Sequence, residues 1–113
     1  MSDLLQQHCI TPAEGLSALD STSIATQLQR IDGWEHDSGS RSLQREFRFK
    51  DFYQTIAFVN AVAWIANNED HHPDLEVGYN RCLIRYTTHA VDGLSLNDFI
   101  CAAKINTLLY NTP

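Results

Sequence analysis

A change of period around Lys50 constrains this chain more than any other feature. From Ser42 to Lys50, Leu43, Arg45, Phe47 and Phe49 fall on one side while Gln44, Glu46, Arg48 and Lys50 fall on the other. This is the two-residue alternation of a strand with one wet face. From Asp51 to Glu69 the repeat lengthens: Phe52, Ile56, Val59, Ala63 and Ala66 recur at steps of four and three, with Phe58, Val62 and Ile65 on an adjoining stripe. That spacing is helical. Phe47 and Phe49 are expected in the core. The apolar band of the helix is wide enough to be buried on more than one side, against the sheet and against a neighbouring subunit.

The remaining elements follow from local signals. Ser21 or Ser23 is expected to cap a short helix carrying Ile24, Leu28 and Ile31, which ends near Arg30 and is closed by Asp32-Gly33. Trp34 to His36 and Ser42 to Phe49 flank the turn-rich Asp37-Ser38-Gly39-Ser40, so they read as an antiparallel hairpin. Pro73 ends any helix before it and holds His72 extended. Leu75 to Tyr79 and Arg81 to His89 read as two further strands, rich in β-branched and aromatic residues, and Val91-Asp92-Gly93 turns the chain. Ser95, with Asp98 three residues on, forms a capping box for a last helix with Phe99, Ile100, Ala103 and Leu108 on its apolar face. The order is α-β-β-α-β-β-α, an α+β chain. Met1 to Asp20 shows no sustained period and reads as an arm, loosely attached but able to dock, ahead of a single domain over residues 21–113.

Composition excludes several function classes. At 113 residues the chain has room for one core. Its net charge of -6 argues against a phosphate-binding surface, so no direct nucleic-acid contact is expected. No apolar run is long enough to span a bilayer, and Met1 to Gln7 carry Asp3 and no basic residue, unlike a secretory signal; a cytoplasmic location follows as the expectation. Cys9, Cys82 and Cys101 are odd in number and far apart, which suits reduced thiols better than a disulfide frame. His8-Cys9 is expected to lie in an unstructured start.

Chemistry concentrates in His71-His72-Pro73 and Thr87-Thr88-His89. Imidazole titrates near neutrality without help, so histidines gathered at one pocket suit proton transfer. Adjacent histidines on an extended segment point to opposite sides, which leaves one for chemistry and the other for holding a ligand. One hydroxyl of the threonine pair is expected to be available to a ligand. A zinc site using His71, His72, His89 and Cys82 ranks behind proton transfer, since no His-x-x-x-His helix or paired cysteines bring such ligands together. No histidine is placed by local sequence to activate Cys82 or Cys101, so a cysteine nucleophile is less favoured still. Capping alone accounts for Asp98, and Trp34 reads as a core or lid aromatic.

Taken in order, Phe47-x-Phe49-x-Asp51-Phe52, the apolar helix, His71-His72-Pro73, Tyr79-Asn80, Thr88-His89, Gly93-Leu94-Ser95 and Asn97-Asp98 resemble the pterin-4a-carbinolamine dehydratase family over roughly residues 31–108. The resemblance implies a four-stranded antiparallel sheet with helices packed on one face, in a homodimer or homotetramer joined through edge strands or helices. It implies dehydration of 4a-hydroxytetrahydrobiopterin, a pterin-4a-carbinolamine made by aromatic amino-acid hydroxylases, to quinonoid dihydrobiopterin, with no metal or organic cofactor. By the same carry-over, His71 and His89 form the acid–base pair and His72 binds and orients the pterin. Asp70, Thr87, Thr88 and Ala90 line the pocket, and Asp98 orients a histidine as well as capping its helix. The chain departs from many relatives in carrying Asn67 where they have a glutamate, and Leu75 and Glu76 where an aromatic follows the proline. Two other functions fit such a chain: a non-enzymatic dimerisation or transcriptional coactivator module, and a same-fold enzyme of molybdopterin metabolism.

Overall fold

A computed structural model describes residues 3–111. Met1 and Ser2, at the start of the expected arm, and Thr112 and Pro113, at the end of the expected domain, lie outside the described residues. Seven regular elements follow the anticipated order: α1 (Ser21–Leu28), β1 (Glu35–Asp37), β2 (Ser42–Arg48), α2 (Phe52–Glu69), β3 (Asp74–Val77), β4 (Arg81–Tyr86) and α3 (Leu96–Asn106). The strands form one antiparallel sheet in the order β1-β2-β4-β3. Register sets the faces. Leu43 opposes Tyr86 and Phe47 opposes Cys82, so these four side chains share the inner face with Ile84, and all five are buried. Arg45 shares that face at its margin, its guanidinium 4.6 Å from the centre of the Phe47 ring.

Two helices cover this face. Phe58 of α2 packs on Phe47 and Phe49 at ring separations of 4.7 and 4.9 Å, and Phe99, Ile100, Ala102 and Ile105 of α3 complete the core. Burial of each such side chain contributes about 1.5–3 kcal/mol. Phe49 is only half-buried at the rim of this cluster, not within it. The stripe of α2 that meets the core is Thr55, Phe58, Val62, Ile65, Ala66 and Glu69. Of the stripe given first from the sequence, Phe52 and Ala63 are exposed. The reason is Thr55: its hydroxyl donates to the Asp51 and Tyr79 carbonyls at 2.8 and 2.9 Å. This fixes the rotation of the helix by a polar contact that apolar periodicity does not register.

Several ends moved for local reasons. Asp20, not Ser21 or Ser23, caps α1, accepting from the Ser23 amide at 2.8 Å, and the helix closes at Leu28. Asp51 caps α2 by accepting from the Gln54 amide at 2.8 Å. Strand β4 ends at Tyr86 and does not run on to His89; Thr88 makes an isolated bridge to Gly93, and His89–Val91 form a single 3-10 turn. Asp92, in the left-handed region at φ 55°, lets that turn close tightly.

The arm is docked. Leu4 is fully enclosed in the core. His8 Nδ1 lies 2.9 Å from Glu69 Oε2, the Cys9 amide donates to Glu69 Oε1 at 2.7 Å, and the Ile10 amide and carbonyl both bond the Asn97 side chain, at 3.1 and 2.8 Å. His8 and Cys9 thus sit in a fixed segment, unlike the unstructured start expected from composition. The carboxylate of Glu69, at the buried end of α2, supplies the anchor that the arm's own sequence does not reveal.

Candidate active site

Helix α2 ends in a way that fixes the first histidine. Asp70 adopts a left-handed conformation at φ 51°; its amide donates to the Asn67 carbonyl at 3.3 Å and the His71 amide donates to the Ala66 carbonyl at 3.1 Å. This pair of bonds is a Schellman closure, and Pro73 prevents the helix from resuming. Strand β3 then begins, with Asp74 opposite Arg85. Beyond the last pairs of β3 and β4, His71 and Thr88 meet at one carboxylate, that of Asp98.

His71 Nε2 lies 2.6 Å from Asp98 Oδ1, with 11% of the histidine side chain exposed and none of the aspartate's. A carboxylate oxygen only accepts, so Nε2 carries the proton and Nδ1 is the nitrogen left over. The other oxygen of Asp98 accepts from the Thr88 hydroxyl at 2.8 Å and from the Ser95 amide at 2.9 Å. The Thr88 and Ser95 hydroxyls are themselves 2.7 Å apart. Asp98 is at once the third residue of α3, closing its capping box, and the fixed partner of His71. Tyr86 completes the mounting: its ring stacks on the imidazole with centroids 5.0 Å apart and planes 21° apart, and its hydroxyl donates to the His71 carbonyl at 3.1 Å.

Electrostatics follows from this geometry. Burial pushes the His71 imidazole down, but the hydrogen bond and charge of Asp98, with smaller help from Cys101 and Asp70, outweigh it and raise its pKa. His71 therefore keeps its second proton to higher pH than a free imidazole.

The other residues anticipated from the sequence divide. His72, Asp70, His89 and Ala90 are exposed, and none of them shares the Asp98 contact of His71. Neither threonine hydroxyl is spare: Thr88 is committed to Asp98 and Ser95, and Thr87 donates to the Arg41 carbonyl at 2.7 Å, bracing the hairpin loop. Asn67, in the place of the glutamate of many relatives, is exposed on α2. Trp34 is buried and donates to Asn106 Oδ1 at 2.8 Å. Among the described residues no three His, Cys, Asp or Glu side chains are grouped to hold a metal ion. Tyr86 and Ser95 are members of the site that the sequence reading did not place there. The alternation of Cys82, Ile84 and Tyr86 would have flagged an inward-facing tyrosine that needs a hydrogen-bond partner.

Known proteins resemble this chain over most of its length. The family described as Pterin 4 alpha carbinolamine dehydratase matches residues 17–108. A relative from Nitrosospira multiformis, provisionally named a pterin-4-alpha-carbinolamine dehydratase, is 55% identical over 109 residues, covering 96% of this chain and 94% of its own. A similarly named protein of Stenotrophomonas maltophilia is 50% identical over the whole of both chains. Among solved structures, a transcriptional coactivator/pterin dehydratase from Brucella melitensis superposes with a TM-score of 0.78 at 32% identity, over 81% of this chain and 98% of that one. A pterin dehydratase-like protein identified as a RuBisCO assembly factor of the alpha-carboxysome shares the fold, with a TM-score of 0.61 at 21% identity over 71% of this chain and 93% of that one. The chain belongs to the pterin-4-alpha-carbinolamine dehydratase family.

Proposed function

We propose that this protein dehydrates 4a-hydroxytetrahydrobiopterin to quinonoid dihydrobiopterin, recycling the pterin of aromatic amino-acid hydroxylases in the cytoplasm. The observation that carries this reading is the buried His71–Asp98 contact of 2.6 Å. Loss of water requires a proton on the leaving 4a-hydroxyl and removal of the proton on N5, whose electron pair then closes the C4a=N5 bond. His71 is the acid in this scheme. Its Nε2 proton is held by Asp98, so Nδ1 carries the proton to be transferred, and the raised pKa favours the form that carries it. His89 is the base at N5. His72 and Asp70 orient the ring, Ala90 borders it, and Thr87 and Thr88 act by bracing the walls. After one turnover His71 is neutral and His89 protonated, and exchange with solvent restores both. The scheme needs no metal or organic cofactor.

Purified protein should speed the disappearance of freshly generated 4a-carbinolamine, followed by ultraviolet absorbance. The His71→Ala and His89→Ala variants should each lose roughly a hundredfold in rate. An unchanged rate in the double variant would remove both histidines from the mechanism.

A second reading has its own observation. Phe52, Tyr53, Trp64 and Tyr79 are 51, 82, 69 and 66% exposed, more aromatic surface than an isolated domain this small usually shows. Together with the coactivator and assembly-factor names of the two structural neighbours, it favours a protein that also associates, in the first instance as a homodimer or homotetramer. Sedimentation as a monomer, with carbinolamine turnover intact, would count against the association and leave the enzyme reading standing. Stable complexes without turnover would favour a binding module. Turnover of a molybdopterin precursor in preference to the carbinolamine would favour the same-fold alternative.

A further inference from the structure

Behind the histidine mounting, two cysteines that are 92 residues apart in sequence bring their sulfurs within 3.7 Å of each other. Neither is part of the dehydration scheme. Cys101 lies on α3, fully enclosed; Cys9 lies on the arm, partly exposed to solvent. The pairing is held from both sides. The Cys9 amide is tied to Glu69, the next amide and carbonyl, those of Ile10, are tied to the Asn97 side chain, and Lys104 of α3 donates to the Leu5 carbonyl at 3.1 Å. These bonds fix the arm's backbone against the helix that bears Cys101, so the two sulfurs face each other at high effective concentration. A disulfide requires about 2.0 Å between sulfurs, so the approach still needed is short, and Cys9 is the partly exposed member of the pair.

We propose that Cys9 and Cys101 form a redox modification site that a hydroperoxide converts to an intramolecular disulfide, riveting the arm to α3. In the first step Cys9 gives up its proton and its thiolate attacks one peroxide oxygen; the O–O bond breaks, the other oxygen takes up that proton and leaves as alcohol or water, and Cys9 becomes a sulfenic acid. In the second step Cys101 gives up its proton and its thiolate attacks the Cys9 sulfur; the S–S bond forms, the S–O bond breaks, and the departing hydroxide takes up that proton as water. Two thiols lose two electrons in all, and the hydroperoxide gains them. The hydrogen bond with Cys9 and the charge of His71 draw the Cys101 thiol down against its burial, while contact with Cys101 pushes Cys9 up. The closeness of the two sulfurs puts the resolving thiol within reach of the oxidised Cys9. The site stands independently of the dehydratase reading.

The test uses the intact wild-type protein. After treatment with a small molar excess of hydrogen peroxide, it is denatured in an alkylating reagent, its free thiols are counted, and its peptides are identified by mass spectrometry. The three thiols of the chain should fall to one, Cys82, with a peptide pair joined through Cys9 and Cys101 and lighter by two hydrogens. Dithiothreitol should restore all three. The Cys82→Ser variant should fall from two thiols to none, and Cys9→Ser should keep both of its thiols. Three thiols surviving in the wild type would overturn the proposal, as would a bridge to Cys82, a link between two molecules, or conversion of Cys9 to a sulfinic acid with Cys101 still free.

Discussion

Asp98 serves three partners with its two oxygens, and the division makes it sensitive to conservative change. Its Oδ2 holds the start of α3 through Ser95 and the Thr88 hydroxyl, and its Oδ1 holds His71. An Asp98→Asn variant preserves shape but puts a neutral amide where a charge supports the imidazolium. Its carbinolamine turnover should drop roughly a hundredfold, while circular dichroism shows the fold retained; turnover within twofold of wild type would dissociate the carboxylate from the chemistry. The pH dependence of stability belongs to the same contact. His71 titrates higher folded than unfolded, where it lies at about 6.5. Its contribution is therefore complete below that unfolded value and is lost as pH rises through the folded one. Urea unfolding from pH 6 to 9 should show wild type losing its advantage over His71→Gln as the pH increases. An advantage that grew instead would mean the imidazole is held neutral. At this scale imidazole chemistry singles out the histidines, whereas Asp98 reads locally as a cap and the threonine pair as offering a free hydroxyl. The bond from Thr88 to Asp98 and that from Asp98 to His71 depend on tertiary packing that residue type does not announce. Tyr86 was not readable either, since a tyrosine in a strand announces burial without announcing which neighbour it serves.

At the scale of elements, the hinge between α2 and β3 matters most, because one left-handed residue aims His71. Asp70 occupies a conformation that glycine adopts freely and β-branched residues resist. Thermal unfolding should show Asp70→Gly within about 0.5 kcal/mol of wild type and Asp70→Val destabilised by about 1–2 kcal/mol. Equal effects would mean the turn relaxes around either side chain. Element type and order were legible throughout, because periods of two and 3.6 and the Ser95-to-Asp98 box are local signals. The rotation of α2 was not: two apolar stripes lie side by side, and only the Thr55 bond to the distant Tyr79 carbonyl chooses between them. Strand β4 likewise reads longer than it is, because the β-branched threonines continue the pattern past Tyr86 while the bridge to Gly93 turns the backbone away.

For the whole molecule, the sheet leaves β1 and β3 as edges, and α2 leaves aromatic rings on its outer side. Among the described residues no helix is long and apolar enough to cross a membrane. The family match begins at residue 17, yet the core reaches back to Leu4, so the arm supplies packing from outside the matched region. Sequence gave little warning of this, because the arm is secured by contacts more than sixty residues away and has no period of its own.

The clasp at Glu69 gives the arm a stability separate from that of the sheet. Burial works against its charge, but the Cys9 amide, His8 and Lys104 prevail and hold the carboxyl below its ordinary range. The clasp is whole above the unfolded carboxyl's pKa and weakens as acid carries the solution through the lower folded value. Acid should therefore peel residues 4–10 away while the strands remain paired, a sub-global opening distinct from denaturation. Amide hydrogen exchange of the reduced protein, compared between neutral buffer and buffer acidified below the ordinary carboxyl range, after correction for intrinsic rates, should show Cys9 and Ile10 losing protection before Ile84 does. Simultaneous loss at all three would make arm and sheet a single cooperative unit.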